Sequence, residues 1–188
     1  MNRLHLTALV SLLGLLGTGC TTVLAPQYSA SIENVQKLKD GGNYTAKVGT
    51  FTSTSGPGNE NTISLRAASL ASPYQDTFAG YLAEAIKTEL VLAGKMAPGS
   101  DVDISGVLLK NNLDIGGMSL GLGDIQARFV VKRNGQVRYD QIKSAHSEWE
   151  SSFAGMVAIP RAVQEYPRLV QSLLGALYSD KAFVQALK

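Results

Sequence analysis

Between Val102 and Glu150 the chain carries three strand-like segments almost end to end: Val102 to Ile115, Met118 to Arg133, and Val137 to Glu150. Asn134 and Gly135 separate the last two, and both residue types favour the positive φ values of a type I′ turn, so these segments are predicted to pair as an antiparallel hairpin. In the middle segment Ile125, Ala127, Phe129 and Val131 fall on one face, while Gln126, Arg128 and Lys132 fall largely on the other. Such a sheet has one buried face and one wet face. The rest of the chain must supply its cover.

Two helical segments are suited to that task. In the first, Phe78, Leu82, Ala85, Ile86, Leu90 and Ala93 recur at three- and four-residue spacing. Ser72 is a good N-cap with Pro73 at the first helical position, and Gly94 is a good stop. In the second, which starts near Ile159-Pro160, Ile159, Val163, Tyr166, Val170, Leu173 and Leu177 keep one phase. Pro167 lies inside it; an interior proline costs about 3 kcal/mol, and the unbroken phase predicts one bent helix. Asp180 is placed to cap a last short helix, Lys181 to Leu187. Upstream, the pattern predicts extended segments at Tyr28 to Ile32 and Tyr44 to Phe51, the latter after the turn signal Asp40-Gly41-Gly42-Asn43. Thr52 to Asn61 reads as a mobile loop. Ile63 to Leu65 is expected to re-enter the sheet before a turn at Ser69 to Ser72. The predicted fold class is α+β, a mostly antiparallel β-sheet with two main helices packed on one face.

The N-terminus reads as an address. Arg3 is followed by an apolar stretch, Leu6 to Leu16, broken only by Thr7, Ser11 and Gly14, then by Gly17, Thr18, Gly19 and Cys20. The apolar run is shorter than the roughly 18 residues a permanent transmembrane helix needs. Cys20 is the only cysteine, so an internal disulfide is excluded, and with two histidines the chain lacks the material for a Cys/His zinc site. Gly-Thr-Gly-Cys resembles a bacterial lipobox, with Gly17 where that motif usually has leucine and Leu16 one step earlier. The resemblance implies a signal peptide at 1–19, lipid attachment at Cys20, a lipid-anchored tether at 20–27 that contains Pro26, and a periplasmic domain at 28–188. Thr21, in place of a retaining aspartate, implies sorting to the outer membrane of a Gram-negative bacterium. The alternative is that Cys20 is simply a small residue at an ordinary cleavage site.

Composition closes other routes. The chain has 188 residues, with 17 Lys+Arg against 15 Asp+Glu, and a net charge of +2 gives no electrostatic case for nucleic acid as a partner. His146 is the only histidine after Cys20, so a histidine-based acid–base scheme must use it, with Ser144 and Ser147 nearby. Adjacency on a strand does not make a triad, and an ordinary strand histidine is the simpler reading. The stretch Gly116 to Gly123 lacks the spacing of a phosphate-binding loop and precedes a strand, so its glycines are expected to serve turning or bulging. Its tip, with Met118, Leu120 and Leu122, is alternatively a contact for a membrane or partner. Glu89 projects into the middle of the first helix's apolar face, where a carboxylate must be paired, hydrogen-bonded, or just past the sheet's edge, or else faces a ligand. Trp149 is a core filler or, with Phe153, an aromatic anchor for a protein partner.

Several of these features together resemble the YajG-type lipoproteins of Gram-negative bacteria: Cys20, the helix Phe78 to Leu90 ending at Ala93-Gly94, the hairpin at Arg133-Asn134-Gly135, and Ser152-Phe153-Ala154-Gly155 leading into the last helices. The resemblance covers roughly residues 70 to 188. It implies an outer-membrane location, no known catalytic residues and no cofactor. The expected role is a non-enzymatic adaptor or structural accessory to an envelope protein, anchored by acyl chains on Cys20. A small-ligand or lipid-binding accessory using the uncovered sheet face is the alternative, and a hydrolase built on His146 the third.

Overall fold

A computed structural model describes residues 21–59 and 61–188. The three long segments become β5 (Val102–Asp114), β6 (Leu120–Arg133) and β7 (Gln136–Glu150), all paired antiparallel. Asn134 and Gly135 have φ values of 50° and 78°, as the predicted turn requires. β2 (Lys47–Ser53) joins the far side of β5 in parallel, giving the order β2-β5-β6-β7. The inward row Ile125, Ala127, Phe129 and Val131 is completely or almost completely buried.

α2 (Phe78–Leu92) covers β2 and β5, and α3 (Gly155–Tyr178) covers β6 and β7. α3 runs unbroken through Pro160 and Pro167. Between the two helices Tyr166 meets Phe78 and Tyr81 edge-on, with ring centroids 5.0 and 5.1 Å apart. Each such ring contributes roughly 1.5–3 kcal/mol through burial, which fixes the helices against the sheet. Asp180 caps α4 (Lys181–Ala186), accepting from the Ala182 N–H at 2.8 Å. The α+β architecture with two main helices on one sheet face is thus present.

Four local expectations give way. Residues 21–24, expected within the tether, form β1 (Thr21–Leu24), which runs parallel to β4 (Ala68–Ala71) with Thr21 opposite Ala68. Thr-Thr-Val is β-branched, half-buried Val23 packs on the core, and the Ala25 N–H closes the pairing on the Ala71 carbonyl at 2.8 Å. Ile63 to Leu65 lies in β3 (Thr62–Leu65) of this second, three-stranded sheet, ordered β1-β4-β3, and not in the main sheet. The turn between β3 and β4 is at Arg66-Ala67, with Arg66 at φ 54°, so Ser69 to Ala71 is strand. Tyr28 to Ile32 is not extended pairing: Ser31 caps α1 (Ile32–Asp40), its Oγ accepting from the Asn34 N–H at 3.3 Å.

α2 begins six residues after the expected cap. Gln75 and Asp76 both adopt φ 53°, which breaks helical geometry. Ser72 Oγ instead accepts from the Tyr74 N–H at 3.1 Å in a local turn, and Thr77 takes the capping role on Gly80 at 3.0 Å. The loop after β2 is pinned. Asn59 Nδ2 donates to the Leu109 carbonyl at 2.8 Å, and Asn111 Nδ2 donates to the Gly58 carbonyl at 2.9 Å.

Candidate functional site

Glu89, three residues before the end of α2, is fully buried. It is neither at the sheet's edge nor salt-bridged: its Oε1 accepts from the Tyr28 hydroxyl at 2.7 Å, the Ser31 N–H at 3.1 Å and Asn34 Nδ2 at 3.2 Å. The residues around Tyr28 and α1 therefore form a lid of neutral donors over the carboxylate. Among the described residues Oε2 has no hydrogen-bond partner of good geometry, and the buried Tyr178 hydroxyl beside it has none either. Burial pushes the Glu89 carboxyl above its ordinary range, and the three donors pull only part of the way back. The same burial, reinforced by Glu89, pushes the Tyr28 hydroxyl far up.

A polar open groove of about 600 Å³ runs beside this lid, lined by Asn34, Lys37, Arg168, Gln171 and Gly175 among others. Asn34 connects the two, donating both to Glu89 and to the Gln171 carbonyl at 2.9 Å. Glu89 itself does not line the groove. Its partners were hidden in the sequence because three of them come from a segment 55 to 61 residues upstream. The one available signal was Ser31 three residues before Asn34, a capping spacing.

Trp149 is buried at the C-terminal end of β7, opposite Gly121 of β6. A Cβ on Gly121 would stand 2.4 Å from the indole, so this glycine makes room for the ring within a regular strand and does not form a bulge. Phe153, four residues on, is exposed. The two aromatics do not share an environment, and only Phe153 is available as an anchor.

His146 is exposed on the wet face of the sheet. Its Nδ1 lies 3.0 Å from Asp124 and its Nε2 lies 3.3 Å from Glu148, so both ring nitrogens face carboxylates and neither bonds Ser144 or Ser147. These carboxylates hold the imidazole above its usual value. Lys110 and Asp124 pair at 3.3 Å on the same face, and Arg128 pairs with Asp140. Among the described residues no cluster of three His, Cys, Asp or Glu is arranged to hold a metal ion.

β7 ends the sheet. Fourteen of its 15 residues pair with β6 on one side, Arg138 being skipped at a register shift, and none pairs with a strand among the described residues on the other. Val137 and Ile142 are exposed apolar residues on it. Cys20 and the segment 1–19 lie outside the described residues, in which no helix is long and apolar enough to cross a membrane.

No family model and no curated protein matches the chain. Among solved structures it is similar to protein XCC0632 from Xanthomonas campestris, of the DUF330 family, with a TM-score of 0.61 at 11% identity, over 88% of this chain and 96% of that one. That likeness is one of fold. A minor lipoprotein from Acinetobacter baumannii aligns with a TM-score of 0.43 at 10% identity, over 74% of this chain and 92% of that one. Protein CT253 from Chlamydia trachomatis aligns with a TM-score of 0.44 at 10% identity, over 72% and 98%.

Proposed function

We propose that this chain is an outer-membrane lipoprotein of the YajG type, acylated on Cys20, whose periplasmic domain acts as a non-enzymatic adaptor that holds another envelope protein. The observation that carries the adaptor role is the open edge of β7. Along the 15 residues of β7, about every second residue offers an extended segment of a partner an outward N–H and C=O that no described strand pairs, in the manner of strand addition. Exposed Val137 and Ile142 supply side-chain contacts along that edge. Charged neighbours such as Arg138 and Asp140 restrain self-association of the same edge. The lipobox-like residues ending at Cys20 support the anchor.

The test is crosslinking of the tagged chain in intact cells, purification from outer membranes and mass spectrometry of what is attached. A specific envelope protein that is captured by the native chain and lost in both Cys20→Ser and Ile142→Lys is the expected result. Capture of the same abundant proteins by all three forms sinks the adaptor reading and leaves the polar groove beside Asn34 as the next place to look for a ligand.

A further inference from the structure

The guanidinium of Arg66 joins three separate loops at one end of the molecule. From the β3–β4 turn, Nε donates to the Ile115 carbonyl at 2.8 Å and Nη2 donates to Gly117 at 3.0 Å, both in the β5–β6 loop. In the β7–α3 connection, Nη1 donates to the Phe153 carbonyl at 2.5 Å and Nη2 to Ser152 at 3.1 Å. A further bond, from the Ser151 N–H to the Ser119 carbonyl at 2.8 Å, ties the two loops directly.

These loops, with the first residues of β6 and α3 that continue them, combine an absence of charge with exposed apolar side chains. Residues 115–123 and 151–160 contain no charged side chain. Between them they hold five of the eleven large exposed apolar residues among those described: Met118 at 77% exposure, Phe153 at 76% and Met156 at 85%, with Leu120 and Val157 beside them. An apolar surface gathered in this way marks a place of contact.

Where the chain enters the fold identifies the contact. Thr21 pairs opposite Ala68, two residues from Arg66, so β1 starts beside the same turn that Arg66 staples to both loops. Thr21 is the residue that follows Cys20 in the sequence. The first described residue after the position proposed for acylation and the uncharged apolar loops therefore share one end of the domain.

We infer that this end lies in the interface of the bilayer that carries the lipid on Cys20, with Phe153, Met156 and Met118 inserted among the acyl chains. The inference rests on the acylation proposed above. Backbone polar groups are costly to move out of water, and Arg66 has already satisfied four carbonyls in the loops that would enter. Inserted apolar side chains add to acyl anchoring and fix the domain's orientation, with the Asn134-Gly135 hairpin pointing away from the membrane.

The test uses the full chain purified from bacterial membranes and reconstituted into phosphatidylethanolamine and phosphatidylglycerol vesicles. Phe153→Trp and Val137→Trp are made separately with Trp149 retained, both at exposed positions, so the core is undisturbed. Lipids brominated near the headgroup end of their chains are expected to quench the emission of the Phe153→Trp form about twofold more than that of the native chain, and the Val137→Trp form no more than the native chain. Mass spectrometry of the N-terminal peptide reports acylation independently. Acylated Phe153→Trp protein with no added quenching overturns the membrane contact and leaves the anchor standing, as does a crosslink from residue 153 to a protein without quenching. An unmodified Cys20 overturns the anchor and the inference together.

Discussion

Two carboxylate clusters in this protein use similar side chains in opposite surroundings. Glu89 is buried under Tyr28, Ser31 and Asn34, all neutral donors, and burial raises its affinity for a proton. Asp124 lies on the wet sheet face between His146 at 3.0 Å and Lys110 at 3.3 Å, and the hydrogen bond from His146 holds its carboxyl below the usual range. Neutral hydrogen bonds do not replace the hydration that a buried anion loses, whereas water and nearby cations keep an exposed one charged. The first cluster should therefore bear on stability strongly and the second weakly, although the second has the more conspicuous ion pairs.

The largest effect is expected at Glu89. Glu89→Ala removes the common acceptor of Tyr28, Ser31 and Asn34 and leaves buried donors unpaired, which should destabilise by about 3 kcal/mol in denaturant unfolding. An unchanged midpoint would mean that the lid rearranges to hydrate the cavity. Glu89→Gln sharpens the point, because it keeps the shape and an acceptor oxygen while removing ionisation. Since the folded-state pKa is raised above the ordinary 4.5, the carboxyl contributes most below that pH and loses its contribution as pH rises through the folded value. Unfolding measured from roughly pH 5 to 8 should show the native chain losing stability relative to Glu89→Gln. A pH-independent difference between the two would mean that Glu89 ionises in the fold as easily as in water.

Asp180 stands between the extremes. It is partly buried, caps α4, accepts from the Tyr139 hydroxyl at 2.9 Å and pairs with Lys143 at 2.6 Å. Lys143 above all holds its carboxyl down to about 2. Asp180→Ala is expected to cost about 1–2 kcal/mol, chiefly through the lost cap. The depressed pKa gives a contribution that is present above about 3.8 and lost as pH falls towards 2, so the cost of the substitution should shrink over that window.

The sequence made the wet cluster's strands legible and left the dry cluster's lid unreadable, for a physical reason. Strand alternation and the Asn134-Gly135 turn are local signals, and they place β5 to β7, the buried row around Phe129 and the exposed His146 correctly. The apolar phase of α2 also pointed to Glu89 as a misplaced carboxylate. Nothing local could name Tyr28 or Asn34 as its partners, since those contacts cross 61 and 55 residues, and Asn34 belongs to a nine-residue helix with only two buried side chains while Tyr28 precedes it. The Arg66 staple was hidden likewise: it spans 49 to 87 residues and ends on carbonyl oxygens, which every residue possesses. The glycine-rich stretch reads as material for turning or bulging. Gly121 leaves space for an indole from another strand, a role that depends on cross-strand register and not on its own neighbours.

The smallest effect is expected at His146. Asp124 and Glu148 raise its pKa, so any stabilisation it gives is present below the ordinary 6.5 and disappears as pH rises through the folded value. His146 is exposed and about half open to solvent, so its pairing is screened by water and salt. His146→Ala should leave the unfolding midpoint unchanged within error at neutral pH and lower it slightly at pH near 5, with that difference abolished by high salt. A large, salt-resistant loss would show that the exposed network is part of the sheet's structural framework, and the contrast with Glu89 would then rest on distance from charge and not on access to water.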